Sequence, residues 1–89
     1  MTKIEFLKAA AIKYFPVATI LNEKPNMHDS IVLDYKNCHI HLILFKKDIH
    51  VFIFQINSDD EYRYKFSYTY NLKMDLADIF DNIKGVIND

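Results

Sequence analysis

The pair His39-x-His41 has the most defined chemistry of any spacing in this chain. On an extended strand, side chains two residues apart share a face at ~6.5–7 Å, close enough for two imidazoles to chelate zinc if a neighbour adds a third ligand. Asp34 is that neighbour if Lys36 and Asn37 form a tight turn. His50 falls further along the next strand and His28 in a loop, so neither completes a cluster. Alternating histidines are also ordinary on a polar sheet surface. A small His-x-His metal-binding protein is therefore an alternative reading, and no cofactor is expected.

Cys38 is the lone cysteine. His39 follows it directly, and adjacent strand residues point to opposite faces, so that histidine cannot serve as its base. Cys38 reads instead as a small buried apolar residue. Serine-nucleophile motifs and paired-cysteine zinc patterns are absent, and Gly85 is the only glycine, so no phosphate-cradling loop is available. An enzyme is not expected. Acidic residues recur at Asp75, Asp78 and Asp81, with Asp59, Asp60 and Glu61 in a second group. A phosphate-mimicking inhibitor would carry such a stripe, although a solvated helix face explains it, and the first aspartate also suits the helix dipole.

The elements that position these groups follow from periodicity. At 89 residues the chain is one domain, residues 1–89, and its 51% apolar and 15% aromatic content supplies a core without disulfides. A net charge of -1 gives no general pull toward nucleic acid or anionic lipid. One cysteine, no apolar window near the ~20 residues of a membrane span and charges through the N-terminal segment lead to the expectation of a cytoplasmic protein.

Residues 3–14 are predicted as an amphipathic helix, with Ile4, Leu7, Ala11 and Tyr14 as its stripe. Thr2 and Glu5 make a capping box, and Pro16 ends the helix. Residues 17–21 are a short strand or an extended connection, and 22–29, with Pro25 and Asn26, a loop. Strands are predicted near 30–36, 38–45, 49–56 and 62–70. Their short polar links suit an antiparallel meander, because parallel strands need long crossovers. A second amphipathic helix covers 76–84 behind Asp75, with Leu76, Ile79, Phe80 and Ile83 as its stripe. Gly85 either caps it or lies inside a longer helix.

The run from Cys38 to Ile56 is apolar on both strand faces, unlike a half-buried hairpin. Register arithmetic puts Ile40, Leu42, Leu44, Val51 and Ile53, with the alternating aromatics of 62–70, on one face. That face takes both helices, giving a two-layer α+β fold of helix, four- or five-stranded antiparallel sheet and helix. The second face then holds an apolar centre of Ile43, Phe45, Phe52, Phe54 and Ile56. Its expected rim is His39, His41, His50, Arg63 and Lys65, with Glu61 also on this side. The competing arrangement places one helix on each face.

Large exposed apolar patches mark interaction sites. The leading expectation is a non-enzymatic protein-binding module, a small inhibitor or adaptor acting through that face on another protein or on itself as a homodimer. Phage and mobile-element anti-defence inhibitors and immunity proteins are analogies of size and type. The alternative partner is single-stranded nucleic acid stacked on Phe45, Phe52 and Phe54 beside Lys36, Lys46, Lys47, Arg63 and Lys65. The chain is not basic, which disfavours it, and no membrane partner is expected.

Overall fold

The computed structural model describes residues 2–23, 28–56 and 62–88. Helix α1 spans Lys3–Tyr14, as its pattern predicts. Thr2 has an extended backbone and its side chain accepts from the Glu5 amide at 3.3 Å, satisfying one otherwise free donor of the first turn. Before Pro16, the Phe15 amide closes the helix on the Ala11 carbonyl at 2.8 Å. Phe15 itself turns inward, edge-on to Tyr35 at 4.8 Å and Phe80 at 6.0 Å.

Five strands follow: β1 Thr19–Glu23, β2 Ser30–Tyr35, β3 Cys38–Leu44, β4 Asp48–Ile56 and β5 Tyr62–Asn71. They form one antiparallel sheet in the order β1-β2-β3-β4-β5. The segment near 17–21 is thus a true strand, starting later than expected and taking in Asn22 and Glu23 from the predicted loop. The predicted loop residues Pro25 and Asn26, and the acidic group Asp59, Asp60 and Glu61, lie outside the described residues.

The β2–β3 register pairs Asp34 with His39 and Val32 with His41, as the turn at Lys36-Asn37 requires. Lys36 holds that turn in the left-handed region at φ 54. A turn centred on Lys47-Asp48 would set Phe45 opposite His50 and Ile43 opposite Phe52; the observed β3–β4 register differs from that by two residues. Lys46 and Lys47 make the turn, Phe45 donates its amide to the Asp48 carbonyl at 2.8 Å, and Ile43 opposes His50 rather than Phe52. A two-residue slip leaves every side chain on its own face, which is why the face assignment survives.

The β4–β5 ladder carries an irregularity that the alternation of β5 did not reveal. Ile53 pairs with Phe66, but Phe54 pairs with Tyr64, so Lys65 is the extra residue of a bulge. Beyond it the register inverts. Arg63 stands opposite Gln55, and Tyr62 opposite Ile56. The expectation that Tyr62 and Tyr64 continue the core-side aromatic row is corrected accordingly. The row proper is Phe66, Tyr68 and Tyr70, with ring centroids 5.9 Å and 4.7 Å apart along it.

Helix α2 spans Leu76–Asn88, beginning where the Ile79 amide bonds the Asp75 carbonyl at 3.2 Å. Gly85 lies inside it rather than capping it. Leu7, Ala11 and Phe15 from α1's side and Ile79, Phe80 and Ile83 from α2 pack into one cluster with Ile31, Leu33, Ile40, Leu42, Ile49, Val51 and Ile53. All of these sheet residues share a face, so both helices lie on the same side, and the one-helix-per-face arrangement is excluded. Tyr14 stacks on Phe80 at 5.6 Å where the helices meet. Among the described residues no helix is long and apolar enough to cross a membrane.

Two outcomes test this packing. A Cβ at the exposed Gly85 meets nothing within 4 Å. Gly85→Ala should therefore raise stability by about 0.5–1 kcal/mol, read from the urea midpoint. Tyr70, only 5% exposed, has its phenol pushed above the ordinary value of 10.0, first by burial and then by Tyr68. The neutral phenol is favoured in the folded state, so below pH 10 the group adds no pH dependence. As pH rises past that value the unfolded chain ionises first, and stability falls. Tyr70→Phe should flatten this alkaline arm of a stability–pH profile.

Candidate functional site

The second sheet face is a grid built by the register. One row runs Thr19, Asp34, His39 and Phe54 to the β5 position of Tyr64. The next runs Leu21, Val32, His41, Phe52 and Ser67, and a third continues from Ser30 through Ile43 and His50 to Thr69. Phe45 extends one end of the grid past Ile43, and Ile56 extends the other past Phe54.

This grid relocates the expected rim. Because β1 joins the sheet, β3 becomes its middle strand, and His39 and His41 stand at the centre of the face beside the phenylalanines. The sequence did not decide whether residues 17–21 were a strand, and that choice sets where the middle of the face falls. Arg63 is exposed but takes the helix-side register opposite Gln55, apart from Phe54. The side chain of Lys65 lies outside the described residues, as does Glu61. The rim that remains is Asp34 and the hydroxyl residues Thr19, Ser67 and Thr69.

The rings interlock. Phe45 packs against His28 at 4.3 Å and against His50 at 4.2 Å. His41 meets Phe54 nearly edge-on at 5.5 Å, and the His39 and His41 centroids are 6.2 Å apart. The chain's 4 histidines therefore all reach this one face, including His28, whose loop position in the sequence gave no sign of it. Ile43, Phe45, Phe52, Phe54 and Ile56 are all half-buried by their neighbours. Leu21, 52% exposed, is the large apolar residue most open to solvent on this side.

Asp34 Oδ1 and His39 Nδ1 form a direct ion-pair contact, with both atoms shut off from solvent. Among the described residues no group of three or more His, Cys, Asp or Glu side chains is arranged to hold a metal. Cys38 is a buried free thiol on the helix-bearing face, across the sheet from His39. The cysteine–histidine pair therefore does not meet.

Two open grooves lie at the margins of the sheet, the first touching this face at Ser30. One of about 610 Å³ is lined by Thr2, Glu5, Lys8, Asn22 and Asp29 among others, and one of about 320 Å³ runs between β5 and α2 past Tyr68, Met74 and Asn82. Asp75, Asp78 and Asp81 are all exposed, as a solvated helix face requires. No family model, curated protein or solved structure matches this chain.

The difference between the two faces is measurable. Ile53 is 0% exposed, whereas its neighbour Phe52 is only half-buried. Ile53→Ala should cost about 3–4 kcal/mol of stability and Phe52→Ala about 1–2 kcal/mol, although the phenylalanine loses more atoms. Urea denaturation of the two variants compares them directly.

Proposed function

We propose that this protein is a non-enzymatic binding module, an inhibitor or adaptor, whose second sheet face docks on a protein surface. The observation that carries this reading is the placement of both helices on one side of the sheet. It leaves a face of phenyl, imidazole and aliphatic groups that neither helix covers. A structural role alone would favour polar residues at Ile43, Phe52 and Phe54, as in sheets with one wet face.

A second copy of the chain is the simplest surface of matching shape. Five strands at ~4.8 Å and three side-chain rows at ~6.8 Å give a face of roughly 24 by 20 Å. Two such faces packed as a sandwich bury on the order of 1,000 Å², the lower limit for a specific interface. The association is accordingly weak and concentration-dependent, as suits a module that exchanges its own copy for a target. The single cysteine and absence of disulfide chemistry support action in a reducing compartment.

Sedimentation equilibrium over a concentration series tests this. The wild type should show a monomer–dimer equilibrium, and Phe54→Glu should remain monomeric while keeping its circular dichroism and cooperative unfolding. A wild type that stays monomeric at millimolar concentration dismisses the second copy. If Phe54→Glu and Phe52→Glu both unfold, this face is core and the docking reading fails. Oligonucleotide binding at low salt, lost in these variants, would replace the protein partner with single-stranded nucleic acid.

A further inference from the structure

We propose that a groove at the β3–β4 turn end of the sheet docks an acidic peptide segment bearing one apolar anchor side chain. The proposal goes beyond the docking of the second face and rests on none of its residues. The groove, about 520 Å³, is lined by Lys3, Lys46, Lys47 and Lys73 beside Asn71 and Leu72. The lysines come from three separate segments: the start of α1, the β3–β4 turn and the link from β5 to α2. Hydrogen bonds fix that convergence. The Leu72 amide donates to the Lys47 carbonyl at 2.9 Å, and Lys3 Nζ donates to the Lys46 carbonyl at 3.4 Å.

The charge of this groove is not balanced within the fold. Four of the chain's 11 lysines and arginines meet here, although its net charge is -1. All four are exposed, and among the described residues no carboxylate lines the groove or pairs with them. Glu5, Asp48 and Asp75 are the carboxylates nearest in sequence, and none of them is a lining residue. Cations crowded into a concave site repel one another and focus a positive potential, which an anionic partner relieves.

An adjoining cleft narrows the kind of anion. It measures about 150 Å³ and lies between α1, the end of β3 and the start of α2, walled by Phe6, Leu7, Leu44 and Leu76. Lys3 and Leu72 line both cavities, so the apolar cleft continues the lysine groove. Lys3 and Phe6 are three residues apart on one helix and therefore neighbours on its surface. Phe6 is 54% exposed, a large ring left open at the mouth of the cleft. An apolar cavity of roughly 150 Å³ holds one benzene-sized group, the bulk of a Phe or Leu side chain. Lysines on flexible stems, spread over three segments and without an arginine fork, suit several carboxylates along a chain better than one phosphate.

Fluorescence anisotropy of the full chain with a labelled peptide, one Phe between two runs of three aspartates, tests the groove. The peptide should bind saturably at low salt, and about 0.5 M salt should weaken it at least about tenfold. Ser in place of the peptide's Phe should weaken binding at least about fivefold, and Phe6→Ala should shrink that difference. Lys46→Glu, Lys47→Glu and Lys73→Glu should each cost about three- to tenfold. Lys13→Glu makes the same charge change on an exposed residue at the far end of α1 and should bind as the wild type does. So should Phe54→Glu, which separates this groove from the second sheet face. Absence of saturable binding overturns the proposal, as does an equal loss in Lys13→Glu or in a folded Phe54→Glu. Equal affinity for the Phe and Ser peptides also overturns it, as does tighter binding of a single-stranded DNA oligomer of matched charge. Lys3→Glu, which the α1 dipole favours, stands in for any reversal that unfolds, and wild-type affinity in it refutes the groove.

Discussion

The constraint on which this structure rests is the dryness of one sheet face. Ile31, Leu33, Ile40, Leu42, Ile49, Val51 and Ile53 form a continuous aliphatic layer across three strands, and both helices are committed to sealing it. Strand side chains alternate strictly, so fixing that layer also fixes what every intervening residue must face. His39, His41, Phe52 and Phe54 are on the outer side because their neighbours are needed on the inner one. With the helices spent on the aliphatic layer, the chemistry of the second face is free to serve something other than folding.

That division explains the composition of the hairpin. A sheet with helices on one side ordinarily presents polar residues on the other. Here the outer grid keeps aromatic, imidazole and aliphatic groups on β3 and β4, with its hydroxyl residues on β1, β2 and β5. The half-buried state of these rings comes from contact with one another, as Phe45 with His28 and His50 illustrates. Such a surface is preorganised, because its side chains already hold each other in place, and docking on it costs less side-chain freedom than docking on isolated phenylalanines.

Most of the fold was legible in the chain. The stripe of Ile4, Leu7, Ala11 and Tyr14 and the cap at Thr2 located α1 to its ends, and the two-residue link at Lys36-Asn37 set the β2–β3 register. Less was legible where local pattern and tertiary pairing diverge. The Thr19–Glu23 strand has no clear alternation, and it forms because the edge of β2 offers it hydrogen bonds. The perfect alternation of β5 concealed the extra residue at Lys65, since a bulge changes pairing without changing sequence period. Likewise nothing near His28 forecast its stacking on Phe45, a contact between distant segments. The Asp34–His39 pair was within reach of register arithmetic, but the burial of its atoms was not.

The bulge has a further consequence for how the molecule behaves in a crowded solution. Strand β5 is an edge, ten residues long and rich in tyrosine and phenylalanine, the composition that invites another chain to extend a sheet indefinitely. By breaking the ladder between Ile53 and Phe54, the bulge bends that edge and interrupts its run of evenly spaced amides and carbonyls. An incoming strand can match it over only part of its length. On physical grounds such an irregularity opposes the continuous strand-on-strand pairing that fibrous growth requires.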